Sequence, residues 1–187
     1  ITKEGDYLLT QHGGRVLRVC GDTHTVTLIA GMDEEKDPPQ QVHQGEPITS
    51  PYGIAVHPEA EGRFILFTDR EQHVVYRMDL QTREISCIAG RKGMKGYGGD
   101  GGHPLHTTLS YPDGIGITPE GEIIIADWWN HRLRKISKDA STISTIAGNG
   151  EKGYGGDGGL AIHATLNRPS GVAVDGDGDE TVGGECE

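Results

Sequence analysis

The sequence predicts an all-β protein built from repeated four-stranded sheets, and three observations support this prediction. The tripeptide IAG recurs at 29–31, 88–90 and 146–148, a spacing of about 58 residues, which is typical of a repeated supersecondary unit. The string GYGGDGG occurs twice, at 96–102 and 153–159. Turn-forming residues separate short apolar runs, and no run has the length and period of a helix.

The unit between Gly114 and Gly148 shows the expected elements in order. Its apolar runs predict strands over 115–118, 122–126, 131–137 and 142–146. The second strand is continuously apolar, which indicates burial on both faces, whereas the third alternates more. Stacked blades of a β-propeller require this order, in which a buried inner strand is followed by strands that are progressively more exposed to solvent.

The same pattern divides residues 1–178 into blades. It predicts a partial blade over 7–31, with strands at 7–10, 15–20 and 25–30, whole blades over 52–90 and 113–148, and the first strand of a further blade at 171–175. Residues 179–187 form an acidic tail, and no apolar second strand is expected there.

Joining the two terminal pieces would give three blades, fewer than the roughly four to eight that propellers use. We therefore expect either a part of a larger ring or a ring of two copies. The first is favoured, because open blades expose unpaired strand edges.

The strings at 125–136, 142–175 and, more weakly, 66–78 resemble NHL repeats, and the resemblance runs from about Tyr7 to Asp175. It implies a propeller, commonly of six blades. Such propellers serve mostly as binding platforms and less often as enzymes.

Net charge and cysteine content make some kinds of function less favourable than others. The 187 residues carry a net charge of −11, which disfavours generic binding to a phosphate backbone. Three cysteines without paired spacing indicate neither a disulfide framework nor a zinc site, and they favour a cytoplasmic location. No signal peptide or membrane span is visible, and no cofactor is expected.

The strand order predicts which loops share a face. In an up-and-down blade, the turns after second strands and the connections between blades emerge on one side. The connections 90–111 and 148–168 should therefore lie beside 69–72 and 127–130. Loops on a rigid scaffold often carry recognition, and tryptophan, tyrosine and arginine dominate interface energetics. The candidate binding residues on this face are Trp128, Trp129, His131, Arg132, Arg91, Lys92, Lys95, Tyr97 and Tyr154.

The GYGGDGG strings also fit the dinucleotide pattern GxGxxG, but no βαβ unit surrounds them. We interpret them as structural turns that include Gly98 and Gly155, in which glycines adopt positive φ angles and the carboxylate of Asp100 or Asp157 accepts backbone N–H bonds. Asp69 and Asp127 end equivalent second strands and should cap the turns that follow.

No metal site is predicted. The acidic string at 175–180 places carboxylates at alternate positions, but Glu180 stands where a calcium-binding EF-hand loop requires glycine. The nine histidines do not converge on the innermost strands, where a metal in the channel would need its ligands.

The leading hypothesis is a non-enzymatic binding or scaffold module that presents a loop face to a protein partner. Self-association and flanking blades are further partners to consider, and no membrane partner is expected. Two alternatives stay open: an NHL-type lyase or hydrolase whose metal ligands come from other blades, and an RNA-binding propeller.

Overall fold

The computed structural model describes residues 1–2, 4–36, 40–58, 62–175 and 180–184. In these ranges the chain consists of β-strands, loops and short 3-10 turns, and none of the described residues is in an α-helix. The all-β prediction is therefore confirmed.

In the part of the chain that the structure describes, the strands form four successive, mainly antiparallel sheets and one small hairpin. The first sheet contains β1 (Tyr7–Gln11), β2 (Arg15–Val19) and β3 (Val26–Ala30) in that order. The hairpin pairs β4 (Met32–Asp33) with β5 (Gln40–Gln41).

The second sheet contains four antiparallel strands, namely β7 (Pro51–Val56), β8 (Phe64–Asp69), β9 (Val74–Asp79) and β10 (Glu84–Ala89). The short strand β6 (Gln44–Gly45) adds to the outside of β10 in parallel. The third sheet contains β11 (Pro112–Ile117), β12 (Ile123–Asp127), β13 (Arg132–Ile136) and β14 (Ile143–Ala147).

The last sheet pairs β15 (Pro169–Val174) with β16 (Glu180–Gly184). The expectation that residues 179–187 lack a second strand is therefore wrong, although residues 179 and 185–187 lie outside the described ranges. An antiparallel ladder depends on main-chain hydrogen bonds, and Thr181 and Val182 are β-branched, so an apolar run was not required.

The core lies between neighbouring sheets. In β8, Ile65 and Phe67 pack towards the first sheet, whereas Leu66 packs towards the third. Successive side chains of a strand point to opposite faces. The continuously apolar sequence of β8 is thus explained by its burial on both sides. In β12, Ile123 and Ile125 join the cluster shared with the second sheet.

The innermost strands β7, β11 and β15 approach one another through their backbones. A Cβ added at Gly53 would clash with the Asp113 carbonyl oxygen, and one added at Gly114 would clash with that of Ser170. Thr68 Oγ1 donates to the same Asp113 oxygen at 2.6 Å. Only glycine permits this spacing.

Candidate binding face

The predicted loop face is present in the structure. The side-chain amide of Asn130 donates to Gly96 O at 2.7 Å, so the turn after β12 contacts the 90–111 connection. The amide of Gly93 in that connection donates to Gln72 O at 2.9 Å, in the turn after β8. The two kinds of loop therefore share one side of the sheets, as the strand order predicted.

Six residues of this face form a cluster that we call the aromatic patch: Tyr52, Arg70, Tyr111, Trp128, Trp129 and Arg168. The rings of Trp128 and Trp129 are 5.2 Å apart at their centroids. The Tyr111 ring stands edge-on, 6.3 Å from each of them. Trp129 and Tyr52 expose 48% and 51% of their surface. Edge-on and tilted aromatic contacts at these distances are favourable.

Cationic side chains cover the same rings. The Arg70 guanidinium lies 4.3 Å from the Trp128 centroid and 5.2 Å from that of Tyr52. The Arg168 guanidinium lies 4.9 Å from Trp128 and 4.8 Å from Trp129. These are cation–π distances. The patch therefore combines apolar ring faces with positive charge.

Two histidines hold the ends of the connections between blades. Tyr111 lies at the end of one connection and Arg168 at the end of the next. Both residues have left-handed backbones, with φ of 52° and 46°. The amide of Tyr111 donates to His73 Nδ1, and the amide of Arg168 donates to His131 Nδ1, each at 3.1 Å. A left-handed conformation is unfavourable for a bulky residue, and these bonds hold it.

The two imidazoles must be neutral at Nδ1 to accept these bonds. Burial lowers the pKa of His73 and that of His131. The nearby cations Arg168, Lys152 and Arg132 lower the pKa of His131 further. Both imidazoles are thus favoured in the neutral form, which can accept the hydrogen bonds from Tyr111 N and Arg168 N at Nδ1.

The carboxylates at the ends of the second strands also hold the loops in place. Most of their hydrogen bonds come from the connection that precedes the first strand of the same blade. Asp127 accepts from Ser110 N at 2.7 Å and from Asn130 Nδ2 at 2.8 Å, and it pairs with Arg134 at 3.3 Å. Burial raises the pKa of Asp127 to about 6. Asp69 accepts from the amides of Thr49, Ser50 and Gln72, and the last of these bonds caps the following turn.

The other candidate residues occupy different places on the face. The Arg132 guanidinium lies 3.8 Å from the Tyr97 centroid. Lys95 lies 5.9 Å from the Tyr111 ring, at the edge of the aromatic patch. Three further candidates lie apart from it: Lys92 pairs with Glu46, Tyr154 accepts from the Asn167 amide, and Arg91 is exposed.

The glycine loops contain the expected positive φ angles, but their carboxylate differs from expectation. The positive φ angles fall at Gly99 and Gly101, and at Gly156 and Gly158. The first carboxylate, Asp100, is bound by side chains, whereas backbone amides were expected. The reason is that the third sheet supplies two of these donors, Arg134 and Thr145, and Tyr97 of the same loop supplies the other.

Four patch residues were not among the candidates: Tyr52, Arg70, Tyr111 and Arg168. For three of them, a signal exists in the repeat. Tyr111 and Arg168 each precede the proline that begins an innermost strand, and Arg70 occupies the position of Trp128, directly after the aspartate. Aligning the repeat by position would have placed them together.

Within the described ranges, no group of three or more histidine, cysteine, aspartate or glutamate residues could hold a metal ion. The acidic string that resembles a calcium loop falls largely outside those ranges, at 176–179. Cys20 and Cys87 are free thiols. None of the helical segments described is long and apolar enough to cross a membrane.

The family model of the NHL repeat matches residues 109–136, which include β11 to β13 and both tryptophans. Among curated proteins, the chain is 25% identical over 152 residues to Protein SUPPRESSOR OF QUENCHING 1, chloroplastic, of Arabidopsis thaliana. That match covers 79% of this chain but only 14% of the plant protein.

Solved structures show the same fold. A protein of unknown function from Bacteroides thetaiotaomicron superposes with a TM-score of 0.75 at 19% identity, covering 96% of this chain and 42% of that one. An auxiliary nutrient binding protein from the same species gives 0.67 at 22%, covering 94% and 41%. Virginiamycin B lyase from Staphylococcus aureus gives 0.59 at 15%, covering 97% and 46%. The chain thus has an NHL-type β-propeller fold and spans less than half of these proteins.

Proposed function

We propose that this chain is a non-enzymatic binding module whose aromatic patch contacts an acidic protein partner. The observation that supports the proposal is the patch itself, in which half-exposed Trp129 and Tyr52 lie beside two arginines. Tryptophan, tyrosine and arginine are the residues most enriched at the energetic centres of protein interfaces.

The aromatic patch differs in charge from the rest of the chain. The whole chain carries a net charge of −11, whereas Lys95 and Arg168 bring positive charge to the patch. The acidic Asp113 beneath Arg70 is buried, and it pairs with that arginine at 3.2 Å. An acidic partner would be attracted to this region and repelled elsewhere, which favours correct orientation on encounter.

The similar solved structures are consistent with a binding role, and the similarity concerns the fold. Two of the similar solved structures carry the description auxiliary nutrient binding protein. The likeness to virginiamycin B lyase concerns the fold, so the enzyme alternative gains no residue from it.

The two tryptophans make a direct test possible, because they are the only ones in the sequence and both lie in the patch. Tryptophan emission, excited at a wavelength that the six tyrosines hardly absorb, therefore reports on the patch alone. We would titrate the chain with synthetic acidic peptides that contain one phenylalanine, with basic peptides of matched length, and with single-stranded RNA.

The proposal predicts that acidic peptides change the emission saturably and that Arg168→Ala weakens this binding about tenfold or more. Tyr52→Ala should weaken it as well. Tyr7→Ala is the matched control, because Tyr7 is equally exposed at 51% but lies on β1. Saturable binding of RNA with no response to acidic peptides would instead support the RNA alternative, and equal effects of Tyr7→Ala and Tyr52→Ala would refute the proposed patch.

A further inference from the structure

The two GYGGDGG loops have the same backbone. Gly101 and Gly158, which occupy equivalent positions, have φ of 77° and 76°. The amide of Gly102 donates to Gly99 O at 3.0 Å, and the amide of Gly159 donates to Gly156 O at the same distance. The second loop is therefore already formed in the conformation of the first.

The first loop uses this conformation to dock onto the sheet that follows it. Arg134 of β13 donates to Asp100 Oδ1 at 2.6 Å, and Thr145 of β14 donates to Asp100 Oδ2 at 2.7 Å. The backbones also bind, since Gly101 N donates to Ile143 O at 2.8 Å and Ile143 N donates to Gly102 O at 3.0 Å. The loop thus meets an arginine, a hydroxyl and a strand edge.

The second loop presents the same groups without such a neighbour. Asp157 is exposed, and among the described residues none donates a hydrogen bond to it. Leu160 beside it exposes 70% of its surface, while Ala161 is exposed where the equivalent Pro104 is buried. A preformed loop with an unpaired carboxylate and an exposed leucine is a surface suited to burial.

We propose that the loop at 153–159 is a docking surface for a β-sheet that carries an arginine at the position of Arg134 and a hydroxyl residue at the position of Thr145. The argument is continuity with the interface that the identical first loop already makes. The arginine would pair with Asp157, and the edge strand would exchange backbone bonds with Gly158 and Gly159.

A second copy of this chain does not offer that chemistry. The first sheet has Leu17 and Leu28 at the two positions, and the second sheet has Tyr76 and Cys87. In the third sheet, Arg134 is already engaged by Asp100. The occupant is therefore a sheet with its own free arginine.

Hydrogen exchange followed by mass spectrometry tests this in two stages, and the chain as it stands comes first. Peptides covering 96–102 should exchange about tenfold or more slowly than peptides covering 153–159. Asp100→Asn should remove most of that difference, because it deletes a charge-assisted bond at a partly exposed site. Asp157→Asn is the matched control and should change nothing. An unchanged 96–102 region in Asp100→Asn would overturn the proposal.

The second stage supplies the sheet. Residues 176–187 are replaced by a copy of 119–148, which continues the repeat in register. Exchange at 153–159 should slow to the level of 96–102. It should stay fast when the appended copy carries Arg134→Leu, and also when Asp157→Asn is made in the extended chain, which removes the proposed contact and leaves the ion pairs of the appended sheet intact. Equal protection with leucine, or no protection at 153–159 with arginine, would overturn the proposal. Neither stage involves the tryptophans, so the fluorescence test of the aromatic patch stands separately.

Discussion

Arg134→Leu is the substitution that tests the reasoning about this fold most directly. The arginine side chain has no exposed surface, and it connects the first glycine loop to the end of β12. It donates to Asp127 Oδ2 at 3.3 Å, to Asp100 Oδ1 at 2.6 Å and to Gly98 O at 3.3 Å. Leucine keeps much of the volume and removes all of these bonds.

The expected loss comes mainly from Asp127, which is fully buried. Removing one member of a buried ion pair costs about 3–5 kcal/mol, because the other charge is left uncompensated. Asp127 keeps its bonds from Ser110 N and Asn130 Nδ2, which favours the lower end of that range. Asp100 is 38% exposed, so its loss adds about 0–1 kcal/mol. We therefore expect the free energy of unfolding to fall by about 3 kcal/mol.

Urea unfolding at two pH values measures this loss and its cause. Burial raises the pKa of Asp127 to about 6, and without Arg134 it should rise further. A carboxyl group with a raised pKa binds its proton more readily in the folded state, so the folded state gains relative stability as pH falls through 6. The loss should therefore be smaller at pH 5 than at pH 8.

Two comparisons decide whether Asp127 is the cause. Adding Asp127→Asn to Arg134→Leu should restore about 1–2 kcal/mol, since asparagine still accepts from Ser110 N without a buried charge. Lys135→Leu removes a partly exposed ion pair between a residue of the same strand and Glu122, and it should cost no more than about 1 kcal/mol. The reasoning is refuted if Arg134→Leu costs no more than Lys135→Leu, or if its cost is the same at both pH values.

Two further predictions concern the loops and the innermost strands. The contribution of His131 to stability should fall as the pH is lowered from about 7.5 to 5.5, because the pKa of His131 is held below its usual value in the folded state. Asp127 changes stability in the opposite sense over this range, so the quantity to measure is the difference in unfolding free energy between the chain and His131→Asn, in which the effect of Asp127 cancels. The NMR amide signal of Arg168 should shift with that titration, and an amide that does not respond would contradict the role given to His131. Gly114→Ala should cost about 1–3 kcal/mol by overpacking against Ser170 O. Gly98→Ala, whose Cβ meets Thr108 Oγ1 at 3.6 Å, should stay within about 0.5 kcal/mol, and equal costs in urea unfolding would be inconsistent with the close approach.

The sheets could be predicted from the sequence because each unit repeats its apolar runs and its turn residues. The predicted strand over 122–126 is observed as Ile123–Asp127, since burial on both faces leaves a strong signal. The first strand begins earlier than predicted, at Pro112, which lies opposite Asp127, and the register shifts before Ile115. Residues 112–114 show no apolar pattern, so no signal in the sequence predicted this part of the strand. Short polar strands such as Gln44–Gly45 were missed because their partner is distant in the sequence.

The sequence predicted where the candidate site lies better than it predicted which residues form it. Strand order alone determines which loops share a face, and that inference needs no side-chain detail. The patch, in contrast, depends on which rings and cations meet in space. Arg70 and Arg168 lie almost a hundred residues apart, yet both cover Trp128. His73 and His131 look like surface residues in the sequence, and only the left-handed residues they hold reveal their shared role.

The contact between innermost strands has a consequence for how such a protein can diversify. Gly53 and Gly114 touch their neighbours through peptide groups, so the spacing does not depend on which side chains precede them. The preceding residues are Tyr52, Asp113 and Ser170, three unrelated chemical types on one framework. Substitutions at Tyr52 and Ser170 can therefore change the chemistry of this surface without altering the spacing of the strands, whereas Asp113 is held by its buried ion pair with Arg70.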